Sequence, residues 1–267
     1  MMGMDYREGP ADTGAVPPNE GGHEPHVPFV CREARLIAAF VALAAVLLAV
    51  ARLGFEIRED GTSGFDRWLM LALRRPGDLA QPVGPAWLKA AAIDVTALGG
   101  VTVLTLVTVL AVGYLLASRK WLTAGLLTAA TVSGRILGSV LKAGFGRARP
   151  DIVPHLVDVH SLSYPSGHAT NSAIVFLTLG ALLARAQDMR RTRIYVMAAG
   201  VLLTVLVGCS RVLVGVHWPT DVLAGWAVGG SWAMLWWAMT MRVDKSRTAV
   251  GEPAQRLSSG KGGDETT

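Results

Sequence analysis

The sequence predicts an all-α, polytopic membrane protein folded as a bundle of six transmembrane helices. Hydrophobic residues make up 51% of the chain and charged residues only 17%, where soluble domains carry about a quarter charged. The mean hydropathy is +0.40. Six apolar runs, separated by short polar segments, complete the pattern. A soluble all-α bundle would not need six runs of that purity in one small chain.

The runs fall at residues 36–51, 95–118, 121–141, 169–184, 194–210 and 222–241. A spanning helix needs about 17 to 25 such residues, so the first and fourth are short. Arg35 and Arg52 can snorkel at the ends of the first, and His168 and Thr170 can sit at the interface beside the fourth. Arg135 interrupts the third, and a charge at that depth is costly unless it meets a partner or a polar cavity. It is a secondary candidate for the functional site, seven residues before Lys142 on the same side of the helix. Gly134/Gly138 and Gly225/Gly229 provide small-residue spacing for close helix packing.

Basic residues set the orientation. Arg32 and Arg35, Arg119 and Lys120, the group Arg185, Arg190, Arg191 and Arg193, and the group Arg242, Lys245 and Arg247 all share one side if the spans alternate. The positive-inside rule makes that side cytoplasmic, with both termini on it. The formal net charge of +5 then reports membrane topology rather than nucleic-acid binding, because the cations sit between apolar runs. Residues 1–30 lack an apolar core before Cys31, so no cleaved leader is expected. Residues 1–30 and 243–267 read as disordered polar tails around a membrane domain at 31–242. Cys31 and Cys209 cannot form a disulfide framework.

Residues 55–94 form a long outer segment. In "GFDRWLMLALRR" a helix would place Phe65, Trp68, Leu69, Ala72 and Leu73 on one face and Asp66, Arg67 and Arg74 on the other. Either a helix lying in the headgroup region or a lid packed on the bundle fits this pattern.

The chemistry-bearing residues gather on the outer side. "KAGFGRARPD" ends the third run with Lys142, Arg149 and Pro150. "PSGH" opens the fourth with Pro165 to His168. "SRVLVGVHWPTD" joins the fifth and sixth with Ser210, Arg211, His217 and Asp221. Lys142, Arg149 and Arg211 are cations without a matching set of acids. Ser166 and Gly167 stand at a helix N-terminus, where backbone N–H groups and the dipole favour an anion. This is a phosphate-type site. Asp221, four residues after His217, can fix its tautomer and leave the other nitrogen to attack. His168, beside the bound anion, is placed to protonate a leaving oxygen. His155 and His160 match no such role. No Cys, His and carboxylate cluster has metal spacing, so neither a metal nor another cofactor is expected.

Together, Lys-x6-Arg-Pro, Pro-Ser-Gly-His and Ser-Arg-x5-His-x3-Asp resemble the three signature motifs of the type 2 phosphatidic acid phosphatase superfamily. The family includes lipid phosphate phosphatases, undecaprenyl diphosphate phosphatases and soluble vanadium haloperoxidases. The resemblance covers roughly residues 95–240, with Ala148 standing where a second proline is frequent. It implies a six-helix, metal-independent phosphatase of lipid phosphates or diphosphates, such as phosphatidate or undecaprenyl diphosphate. His217 would form a phosphohistidine oriented by Asp221, and His168 would act as acid and then base. Lys142, Arg149, Arg211, Ser166 and Gly167 would hold the phosphoryl group. The partners implied are a lipid phosphate and the bilayer of the inner membrane, not nucleic acid, with the site on the periplasmic or extracellular side. A phosphotransferase using the same site, or a non-catalytic lipid-binding or transport protein, are the alternatives.

Overall fold

A computed structural model describes residues 29–60, 63–159 and 161–259. Of the predicted tails at 1–30 and 243–267, residues 1–28 and 260–267 lie outside the described residues, as do residues 61 and 62 and His160. The elements are α1 (Phe29–Asp60), α2 (Gly64–Ala72), β1 (Arg74–Arg75), β2 (Asp78–Pro82), α3 (Ala86–Leu98), α4 (Val101–Ala117), α5 (Trp121–Phe145), α6 (Gly167–Arg185), α7 (Arg190–Leu213) and α8 (Pro219–Ser259). Among the described residues the regular structure is helical apart from one antiparallel hairpin, in which Arg74 faces Pro82 and Arg75 faces Asp78.

By length and apolarity four of these helices can cross a membrane, or five if α3 and α4 count as one bent span, against the six expected. The first span, at Ile37–Ile57, is longer than its apolar run suggested. The second is not one straight helix. It breaks by 49° between Leu98 and Val101, at Gly99 and Gly100. A Cβ on Gly99 would lie 2.3 Å from Val207 Cγ1 and 3.2 Å from His168 Cδ2, so the break is where α4's chain presses on the core. The sixth run lies within α8. Trp226, Trp232, Trp236 and Trp237, with Gly225, Gly229 and Gly230, dilute its apolar character. α8 also continues as helix past residue 242 to Ser259.

α6 is the centre of the bundle, packed against α7 and α8, while α1 lies on α8 and α3 on α7. Half of α6's most apolar window is buried, against 22% for α1 and α5. The Gly225/Gly229 pair lets α8 meet α6 backbone to backbone. A Cβ there would stand 2.8 Å from Ser166 O and 2.5 Å from Thr170 O. Gly134 is similarly tight against Ile174 and Trp232, whereas Gly138 is looser. The outer faces of α4 and α5 expose Leu106, Val109, Leu110, Val132, Ile136 and Val140, as a lipid-facing surface would.

The segment at 55–94 is ordered as the end of α1, α2, the hairpin and α3, and α2 packs on the bundle through one face while leaving its aromatic edge exposed. Asp66, Met70 and Arg74 are buried, whereas Phe65, Trp68 and Leu71 are exposed. Their spacing of four residues puts Asp66 and Met70 on one face of α2, and Arg74 follows in β1. That face is the one turned to the bundle, because Asp66 finds partners there.

Candidate active site

Three loops converge where α5, α6 and α7 end or begin. Tyr164, fully buried, anchors the 161–168 loop to α1 by donating its hydroxyl to Val50 O at 2.6 Å. Its ring stacks edge-on against Phe145, with centroids 5.3 Å apart. Backbone bonds join the loops: Ser163 N donates to Arg147 O, Ser166 N to Asp221 O and Leu156 N to Val214 O. The site is therefore held by main chain as well as by side chains.

His217 and Asp221 are both essentially unexposed. Arg149 Nη1 lies 3.3 Å from His217 Nε2, and a guanidinium can only donate. Nε2 therefore carries the lone pair and Nδ1 the proton. Nδ1 faces Asp221 Oδ2 at 3.4 Å and Ser163 Oγ at 3.3 Å. Ser163 in turn donates to Asp221 Oδ2, as does the Trp218 N–H at 2.9 Å. Burial holds the His217 imidazolium down to about 4, opposed by the Asp221 carboxylate. Burial thus favours the neutral imidazole, with its Nε2 lone pair turned to Arg149.

Beside it lies the cationic cradle. Arg149 is fixed by donating to Val216 O at 2.6 Å and Ser161 O at 2.6 Å. Lys142 Nζ donates to Ser161 Oγ at 3.2 Å and sits against Gly167, 3.7 Å from where a Cβ would be. Arg211 is 2% exposed and donates from Nη1 to Thr96 Oγ1 on α3 at 2.8 Å. Arg211 Nε and Ser166 Oγ are buried without a hydrogen-bond partner. Such atoms are costly to leave unpaired, and both belong to the predicted phosphate-binding set. His168 is half-buried, faces the break at Gly99, and shares its surroundings with Lys142, Arg149, Arg211 and His217.

The structure thus brings together Lys142, Arg149, Ser166, Gly167, His168, Arg211, His217 and Asp221. Arg135 stands apart. It is exposed on a groove of about 500 Å³ between α4, α5 and α6, lined also by Thr108, Thr131 and Asn171. His155 braces the loop through Nε2 and Pro150 O at 2.7 Å.

Residues 122–245 match the family model of the PAP2 superfamily. The chain is 35% identical over 148 residues to phosphatidylglycerophosphatase B of Bacillus subtilis, covering 54% of this chain and 70% of that protein. The chain belongs to the PAP2 superfamily. A second relative is the lipid A 1-phosphatase of Rhizobium etli, 33% identical over 125 residues, 43% of this chain and 49% of that protein. Among solved structures, it resembles the first transmembrane PAP2 type phosphatidylglycerolphosphate phosphatase from Bacillus subtilis. That match has a TM-score of 0.64 and 27% identity, covering 75% of this chain and 96% of that one.

Sequence reasoning missed the residues that brace this PAP2 site, among them Ser163, Thr96, Arg147 and Asp66. Ser163 and Thr96 serve His217–Asp221 and Arg211 as described. Arg147 donates from Nη1 to Asp221 Oδ1 at 2.6 Å and to Thr220 Oγ1 at 2.9 Å. From Nη2 it donates to Asp66 Oδ2 at 2.8 Å. Only Arg147 gave a signal, as the extra cation between Lys142 and Arg149.

Proposed function

We propose that this PAP2 protein is an integral-membrane phosphatase that hydrolyses lipid phosphates or diphosphates through a phosphohistidine, without a metal. The observation that carries the reading is the His217 Nε2 lone pair, oriented by Asp221 and facing a cradle that holds the unpartnered Ser166 Oγ and Arg211 Nε. The lipid class follows the relatives, which are named as lipid phosphatases.

In this mechanism Nε2 attacks phosphorus as the bond to the lipid oxygen breaks, and His168 gives its proton to that oxygen. Arg149 leaves the imidazole for the phosphoryl oxygens, joined by Lys142, Arg211, Ser166 Oγ and the α6 N-terminus at Gly167. Fixed donors aimed at charge that develops in the transition state supply most of the acceleration. Water then attacks the phosphohistidine and gives a proton to His168. The P–N bond breaks, phosphate leaves, and both histidines return to their starting states. Nδ1–H stays on Asp221 throughout.

We place α8 as the sixth crossing beside the bent α3–α4 pair, which puts the start of α1 and the end of α8 on the cytoplasmic side of the inner membrane. The site then opens to the outer side, where a lipid presents its headgroup while its chains stay in the bilayer. The exposed Phe65, Trp68 and Leu71 of α2 lie in the interface beside it.

The test is phosphate release by the purified protein in detergent with EDTA. The substrates are dioleoyl phosphatidate, phosphatidylglycerophosphate and undecaprenyl diphosphate, each run beside His217→Ala. Release without metal that vanishes in the variant is expected. Wild-type rates from His217→Ala would overturn the reading.

A further inference from the structure

Asp221 has two carboxylate oxygens, and the structure treats them unequally. Oδ2 takes the Trp218 N–H, the Ser163 hydroxyl and the His217 Nδ1 side. Among the described residues Oδ1 has one partner, Arg147. Arg147 therefore braces the Oδ1 side of the carboxylate, opposite the three contacts that hold Oδ2 towards the imidazole. Its guanidinium is itself held from three sides: over the Trp218 ring at 5.3 Å, by Thr220 Oγ1 and by Asp66.

Asp66 comes from α2, outside the matched family region. It is fully buried. Its Oδ1 accepts the Thr220 N–H at 2.9 Å, and its Oδ2 accepts the Thr220 hydroxyl at 2.7 Å together with Arg147 Nη2. Thr220 immediately precedes Asp221 in the first turn of α8. A single side chain of α2 thus grips both the backbone that carries Asp221 and the guanidinium that orients it.

We propose that Asp66 and Arg147 are positioning residues for the nucleophile, forming a bridge from α2 through Arg147 to Asp221 and His217. The proposal rests on the phosphohistidine reading above. A buried arginine between two carboxylates keeps its charge neutralised. It also sets how much of Asp221's negative charge reaches His217. The charged groups facing that imidazole are Asp221 on α8, Arg149 in the loop after α5, Arg211 on α7 and His168 on α6.

The experiment compares Asp66→Asn and the double variant Asp66→Asn/Arg147→Met with wild type. The probes are dioleoyl phosphatidate in detergent micelles for turnover and vanadate as a competitive oxyanion for the cradle. A displaced nucleophile costs roughly a hundredfold in rate for about an ångström of error. Asp66→Asn is therefore expected to lower kcat roughly ten- to a hundredfold while KM and vanadate inhibition stay at wild-type values. With Asp66's charge gone, Arg147 neutralises Asp221 more fully, and the acid limb of kcat moves to lower pH. In the double variant Asp221 faces His217 alone, and the limb moves to higher pH. Wild-type kcat and pH profile in Asp66→Asn would overturn the proposal. So would a parallel loss of vanadate binding, or failure of both variants to fold, since either outcome makes the bridge purely structural. His217→Ala in the same assay separates the two ideas. Full turnover there rejects the phosphohistidine reading, whatever the bridge does.

Discussion

In the nucleophile half of the site every polar atom of His217 and Asp221 has a partner, whereas in the cradle half Ser166 Oγ and Arg211 Nε are buried with none. The first half is organised by the protein itself. The second is organised for something the protein does not supply. A buried polar group left unpaired costs about 1–3 kcal/mol, so on the proposed reading an arriving oxyanion would recover in binding what the cradle forgoes in folding. Substitutions in the first half should therefore act on turnover, and those in the second on turnover and oxyanion affinity together.

The largest effect should come from Asp221→Asn. Losing the orienting carboxylate allows the wrong tautomer, and loss on the order of 10³- to 10⁴-fold in kcat is expected. Vanadate affinity should hardly change. The sign of the pH effect is fixed by the burial of His217. Asp221 raises a pKa that desolvation has pulled to about 4. Without it the neutral imidazole survives to still lower pH, and the acid limb recedes. Steady-state kinetics across pH, with vanadate competition, checks both. Equal losses in kcat and vanadate affinity would break the division between the halves.

Arg211→Ala should follow. Removing a charged donor from a transition-state cradle costs about 10²- to 10³-fold in kcat, here with a comparable loss of vanadate inhibition.

A serine pair sharpens the comparison. Ser163 donates inside the nucleophile half, so Ser163→Ala should lower stability by about 1–2 kcal/mol, read as a lower thermal midpoint, and spare vanadate affinity. Ser166 Oγ has no hydrogen-bond partner among the described residues, so Ser166→Ala should leave the midpoint alone. It should weaken vanadate roughly tenfold, since a hydrogen bond to a charged group is worth about 1.5–3 kcal/mol. A falling midpoint in Ser166→Ala with unchanged vanadate binding would reverse the assignment.

These residues also mark what could be read in the chain. Lys142, Arg149, the Ser166–His168 turn and the His217–Asp221 pair lie in short spacings, and a helix end or one helical turn brings each group together. The partners that hold them do not. Asp66 reaches Arg147 across 81 positions and Arg211 reaches Thr96 across 115, and no local period announces such a contact. The bend at Gly99 was hidden because an apolar run reads the same whether straight or broken. The orientation of α2 was left open for a more general reason. An amphipathic pattern tells which residues differ in polarity, not which side is wet. In α2 the carboxylate of Asp66 turns inward while Phe65 and Trp68 stay exposed.

That arrangement leads to the smallest expected effect. Phe65 and Trp68, with ring centroids 6.4 Å apart, form an exposed aromatic edge on the helix that carries Asp66, and Trp68 is 63% exposed. If this edge lies in the headgroup region, Trp68→Ala removes interfacial anchoring worth on the order of 1 kcal/mol, or roughly fivefold. The loss should show only where a bilayer is present. Turnover of dioleoyl phosphatidate in vesicles should fall by that factor while turnover in detergent micelles stays at the wild-type rate, because the buried face of α2 is untouched. Equal rates in both media would place the edge in water and leave the inward turn of Asp66 to packing alone. A loss in micelles as large as in vesicles would mean that the edge supports Asp66 directly. α2 would then belong to the nucleophile half rather than to its surroundings.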